Sequence, residues 1–142
     1  MTRSIEEEAK ATVLRAFEEI TNRGNMAVAP ELFTADFQRH DLGALFPDVV
    51  GPGGVKNLIG ALRAAMPDIR AELNDFVAEG DRVAVRYTMS GTHTGELLGF
   101  QGTGRRVTFA GMNIYRLVDG KLAESWQLLD SLGLLRQIGA VP

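Results

Sequence analysis

The 142-residue sequence contains no cysteine, which excludes disulfides, thiolate metal sites and cysteine nucleophiles and fits a cytoplasmic protein. Histidine occurs only twice, without HExxH or comparable ligand spacing, so no metal centre is expected. A G-x-S-x-G elbow is missing too, which argues against a serine hydrolase. No apolar run approaches membrane-spanning length. The opening stretch MTRSIEEEAK is acidic and lacks an apolar segment, so no signal peptide is expected there. Basic residues are scattered, with Arg105-Arg106 the only dense pair, and the net charge is −3. Neither nucleic acid nor an anionic membrane is therefore expected as a partner.

What is present is enough for one domain spanning 1–142. Hydrophobic residues make up 45% and charged residues 23%, a balance that supports a soluble chain with a buried core. Ile5, Ala9, Thr12, Val13, Ala16, Phe17 and Ile20 recur at helical spacing. Ser4 and Glu7 have the spacing of a capping box, and Gly24 is the expected stop. Pro30 opens a short helical turn, PELF, followed by a brief strand at Phe37 to Asp41. LGALFPDVVGPGG reads as a loop, because Gly and Pro keep breaking its period. A second helix is predicted from about Gly53 to Met66, with Val55, Leu58, Ile59, Leu62 and Met66 on one face and Pro67 ending it.

From there the period changes to two. Ala71 to Glu79 and Arg82 to Ser90 read as strands joined at Gly80-Asp81, with Val83, Val85, Tyr87 and Met89 on one side of the second. Thr92 to Gly104 is a long glycine-rich connection. Arg106 to Val118 and Leu122 to Asp130 form a final hairpin through Asp119-Gly120. Helices first and an antiparallel meander after them define the class as α+β. A long curved sheet with helices across one face makes a cone whose interior is the expected binding site. The tail carries Leu132, Leu134, Leu135 and Ile138, apolar enough to dock on the domain or on a second copy.

Asp130 draws attention first, as a carboxylate ending a strand that carries Trp126, Leu128 and Leu129. It is either a general acid or base in the cavity or a cap for the turn at Ser131-Leu132-Gly133. His93, in GTHTG, either donates to a substrate carbonyl or bonds the loop backbone. His40 stands beside Asp41, as an acid–base unit or an exposed strand end. Trp126, Tyr87, Phe109, Met112 and Met89 look first like core, although strand alternation can aim some of them at a flat ligand. Arg86, on a strand of apolar neighbours, needs a partner, and Asp130 or Glu124 is the expected one. Gly99 to Gly104 lacks a following helix and a phosphate-binding lysine, so it is not a phosphate loop.

Taken together, Gly80-Asp81-Arg82-Val83, Gly91-Thr92-His93 with Gly95, Thr103-Gly104-Arg105, Asp119-Gly120-Lys121, Trp126, Asp130 and Gln137-Ile138-Gly139 resemble the SnoaL-like polyketide (ester) cyclases, within the nuclear transport factor 2-like superfamily. The resemblance covers about Val13 to Pro142. It implies a cone-shaped α+β barrel, a deep apolar pocket, no cofactor, and a homodimer or homotetramer. It also implies an intramolecular aldol condensation of a small apolar carbonyl compound. Asp130 would be the acid–base residue, His93 and His40 would hold carbonyl oxygens, and Trp126, Arg86, Met112, Phe109 and Tyr87 are the candidate substrate-binding residues. Where many relatives carry His-Trp-Asp, this chain has Ser125-Trp126-Gln127, so a histidine and a carboxylate are missing. An isomerase or an epoxide hydrolase on the same cone is one rival expectation, and a non-catalytic module for a small apolar ligand is the other.

Overall fold

The computed structural model describes residues 4–142; Met1 to Arg3 of the acidic opening stretch lie outside the described residues. Helix α1 (Ile5–Arg15) starts where expected, the Ser4 hydroxyl accepting from the Glu7 backbone N–H at 3.1 Å. Three glutamates in its first turn face the positive end of its dipole. The chain continues as wider π-type turns over Ala16–Asn22, which bury Ala16, Phe17, Ile20 and Thr21. Arg63 closes that end by donating to the carbonyls of Thr21 and Asn22 at 2.7 and 3.1 Å, groups a helix terminus leaves without partners.

Helix α2 is the short turn Ala29–Leu32. Strand β1 (Phe33–Asp41) begins four residues before the predicted Phe37, and the presumed loop contains a two-residue strand, β2 (Val49–Val50). Exposed Ala35 and Asp36 and a register shift between Phe33 and Gln38 hide the first half of β1 from a period-two reading. Helix α3 (Gly51–Ala65) then crosses the sheet, followed by β3 (Arg70–Glu79), β4 (Arg82–Thr92), β5 (Arg106–Val118), β6 (Lys121–Leu129) and α4 (Ser131–Gln137). The hairpin between β5 and β6 turns with positive φ at both Asp119 (50°) and Gly120 (78°), the combination that two-residue hairpin loops favour.

The six strands run in the order β2-β1-β6-β5-β4-β3. All pairs are antiparallel except β1 with β6, which is parallel. The result is the cone-shaped α+β architecture: a curved, mostly antiparallel sheet with its concave face covered by the N-terminal helical segment and α3. Period-two burial is clearest on β5, where Val107, Phe109, Asn113, Tyr115 and Leu117 are buried and Met112, Ile114 and Val118 are exposed. The tail folds back on its own domain. Leu134 is fully buried and Ile138 nearly so, and the Gln137 amide both donates to and accepts from the Thr108 backbone at 2.8 Å. Leu132 of the same tail stays exposed.

Candidate functional site

The cone encloses a cavity of about 80 Å³. Its roof is apolar: Phe17 and Ile20 come from the N-terminal helical segment, and Val55, Leu58, Ile59 and Leu62 from the face of α3 predicted to pack. Phe46, Leu58 and Leu62 also border a wider depression of about 400 Å³ beside Pro47–Val50 and Leu97–Leu98.

The floor is different. Arg39 from β1, Tyr87 from β4, Asn113 and Tyr115 from β5, and Ser125 and Gln127 from β6 all line it. Strand register makes them neighbours: Arg39 pairs with Ser125, which pairs with Tyr115, and Gln127 pairs with Asn113. Tyr87 donates its hydroxyl proton to Asn113 Oδ1 at 3.2 Å, and Asn113 Nδ2 donates to the Tyr115 hydroxyl at 2.9 Å. The Tyr115 proton at the end of this chain is left free to donate. Burial raises the pKa of both phenols, Tyr115 well above the ordinary tyrosine value, because the charged form is the one that desolvation penalises. Both phenols are therefore neutral donors. Ser125 Oγ is buried without a partner.

Gly111 makes this floor possible. A Cβ there would overlap the Tyr87 phenol, 2.3 Å from its oxygen, so only glycine lets the ring lie across β5.

Arg39 is the unusual member. It is 6% exposed, and its one hydrogen bond among the described residues goes to the Pro47 carbonyl at 3.3 Å. No carboxylate of the described residues reaches ion-pair distance of it. Burial lowers its pKa, opposed most strongly by the charge of Asp41. Asp41 is itself buried, but one oxygen accepts from the Phe46 backbone N–H and the carboxylate does not line the cavity.

Among the residues proposed from sequence, the structure brings Tyr87, Met89 and Phe109 to the cavity. The others stand elsewhere. Asp130 is exposed and caps α4, its Oδ1 accepting from Gly133 N–H at 3.0 Å, the alternative to a place in the cavity. His93 is fully buried but outside the cavity, its Nδ1 3.1 Å from Thr103 Oγ1 and its backbone bonded to Arg105 and Gly104. His40 lies on the outer face, 2.7 Å from Glu124, while alternation turns Asp41 inward, so the two do not act as a unit. Trp126 is also outside, stacked on His40 at 5.7 Å and under Arg82 at 5.2 Å. Arg86 pairs with Asp75 at 2.7 Å rather than with Asp130 or Glu124. Met112 is 60% exposed on the outer face. On the middle of β6 the inward residues, Ser125 and Gln127, are polar and the outward ones are Trp126 and Leu128, the reverse of what hydrophobicity alone suggests, which is why Trp126 falls outside the cavity. The missed residues, Arg39, Asn113, Tyr115, Ser125 and Gln127, follow from alternation once Tyr87 is placed inward and its register carried across the sheet.

The architecture and its lined interior define a protein of the nuclear transport factor 2-like fold. It superposes on a protein of Jannaschia sp. CCS1 given the SnoaL-like designation, with a TM-score of 0.87, 27% identity and coverage of 100% of this chain and 99% of that one. AclR of Streptomyces galilaeus, a proposed hydroxylase, superposes with a TM-score of 0.83 at 31% identity over 96% of this chain and 99% of that one. The profile of SnoaL-like polyketide cyclases matches residues 11–138, and the chain belongs to that family. It is 30% identical over 94 residues to the aklanonic acid methyl ester cyclase DnrD of Streptomyces peucetius, covering 66% of this chain and 65% of that protein. With the nogalonic acid methyl ester cyclase of Streptomyces nogalater it shares 33% identity over 91 residues, 63% of this chain and 67% of that protein. The chain thus spans slightly under two-thirds of DnrD.

Proposed function

We propose that the chain is a polyketide cyclase-like enzyme that closes a carbon–carbon bond within a small apolar carbonyl compound held in the cone. The observation that carries this reading is the one-sided cavity, with an apolar roof over a floor of hydrogen-bond donors. This lining suits a flat, largely apolar ligand with its oxygens toward the floor, and the cavity of about 80 Å³ must open further to take one. Ring closure needs an enolate carbon to attack a second carbonyl. As the new bond forms, the carbonyl π pair becomes an alkoxide, which must take up a proton. Tyr115, with its unspent O–H at the end of the Tyr87–Asn113 chain, is the group placed to stabilise that alkoxide by a hydrogen bond while staying neutral, and the alkoxide takes its proton from water. Holding one flexible chain folded contributes by bringing the two carbons together.

The rival epoxide hydrolase reading is weaker, since opening an epoxide with water calls for a carboxylate on the cavity and none of the lining residues is Asp or Glu. The test is an assay with aklanonic acid methyl ester and nogalonic acid methyl ester, following ring closure by chromatography. Conversion that falls at least about tenfold in Tyr115→Phe, with binding retained, supports the proposal. Absence of both conversion and binding contradicts it.

A further inference from the structure

The titratable groups on the cavity wall are Arg39, Tyr87 and Tyr115. Not one of them is suited to remove a proton from carbon. The tyrosines are held neutral by burial, and the arginine carries its proton throughout. Meanwhile a guanidinium with a single side-chain hydrogen bond lies buried on the polar floor, with no carboxylate of the described residues at ion-pair distance. Such a cation is costly unless something supplies the missing charge and acceptors.

Resting on the cyclase-like reading, we infer that the ligand is taken as a preformed oxyanion, the ionised enol or phenol of an acidic carbonyl compound, with Arg39 holding the charged oxygen. The chain then needs no base of its own. The proton has already left to water when the ligand binds, the protein stabilises the anion, and the alkoxide formed on ring closure takes a proton back from water. Ser125, whose buried hydroxyl has no partner, stands beside Arg39 in register and adds a donor to the same oxygen. The charged and titratable groups around Arg39 are Asp41, Asp48, Tyr115 and Tyr87. Asp48 accepts from Asp41 N–H at 3.0 Å, and Asp41 accepts from Phe46 N–H through one oxygen, while its other oxygen is buried without a partner among the described residues and its charge favours the protonated Arg39. The helical segment and α3 present only uncharged residues to the cavity. The oxyanion therefore meets one positive charge on the cavity wall and no carboxylate on that wall.

The probes are 2-hydroxy-1,4-naphthoquinone, ionised at neutral pH, and its neutral 2-methoxy ether, measured by equilibrium dialysis with the purified wild type, Arg39→Met and Arg39→Lys. The expected result is binding of the hydroxy compound at least about tenfold tighter than the ether. That preference should vanish in Arg39→Met, survive in part in Arg39→Lys, and fade as the pH drops through the probe's own ionisation. Arg39→Met should unfold at the same temperature as wild type or higher, because an apolar side chain of similar length suits a buried shell. Equal binding of the two compounds by wild type overturns the inference and leaves the cyclase-like reading standing. Binding of neither overturns both. A preference that persists in Arg39→Met, or an Arg39→Met that unfolds earlier, shows Arg39 to be a structural clamp on Pro47 and overturns the inference.

Discussion

Arg39 on β1 and Ser125 on β6 are register partners across the one parallel pair of the sheet, and both side chains are buried on its concave face. The pairing gives the cavity floor a cation and an unpartnered hydroxyl side by side. On β6, Ser125 and Gln127 line the cone, while Trp126 between them faces out and stacks on His40.

Ser125→Ala should leave stability unchanged or raise it by about 1 kcal/mol, since it removes a buried hydroxyl with no partner. Urea unfolding checks this. A loss larger than about 1 kcal/mol would mean the hydroxyl is already bonded within the folded chain.

Gly111→Ala should destabilise by about 1–3 kcal/mol, because the new methyl overlaps the Tyr87 phenol. Combining it with Tyr87→Leu should cost less than the sum of the two single changes. Strict additivity in denaturant unfolding would show that the two positions do not share the space.

Asp130→Asn should change turnover less than about twofold, since asparagine caps a helix as well as aspartate. Asp130→Ala should lose about 1 kcal/mol of stability with its cap. If Asp130→Asn folds normally and turnover collapses, the acid–base role belongs to Asp130 after all.

Glu124 has its pKa lowered, first by the His40 hydrogen bond and then by Arg116, against an ordinary value of 4.5. A carboxylate held lower in the folded state stabilises it above the unfolded value, and the effect fades as pH falls through the folded value. Melting curves of wild type and Glu124→Gln should therefore differ near neutral pH and converge on acidification below 4.5. Curves that diverge instead would reverse the sign assigned to this pair.

Much of this was legible in the sequence. The α3 face, the alternation of Val83, Val85, Tyr87 and Met89, the Ser4 cap and the Asp119-Gly120 turn all follow from local rules, and the structure reproduces them. The site was harder to read for a physical reason. A cavity floor places polar residues where a core would have apolar ones, so Ser125 and Gln127 look like a solvent face, and Trp126 and Leu128 look like core. Asp130 shows the same limit from the other side. Its apolar neighbours suggest burial, yet it stands one residue past β6, where the chain turns into α4 and needs a cap.

The most direct test of where the ligand sits is a nitrogen–proton NMR titration with 2-hydroxy-1,4-naphthoquinone. The central claim is that the working surface is the cavity floor. It predicts shifts in the side-chain amides of Asn113 and Gln127 and in the Arg39 Nε–H, with the backbone N–H of Gly133, which Asp130 holds, unmoved. Shifts confined to Gly133 and its neighbours in α4, with the floor amides still, would contradict it.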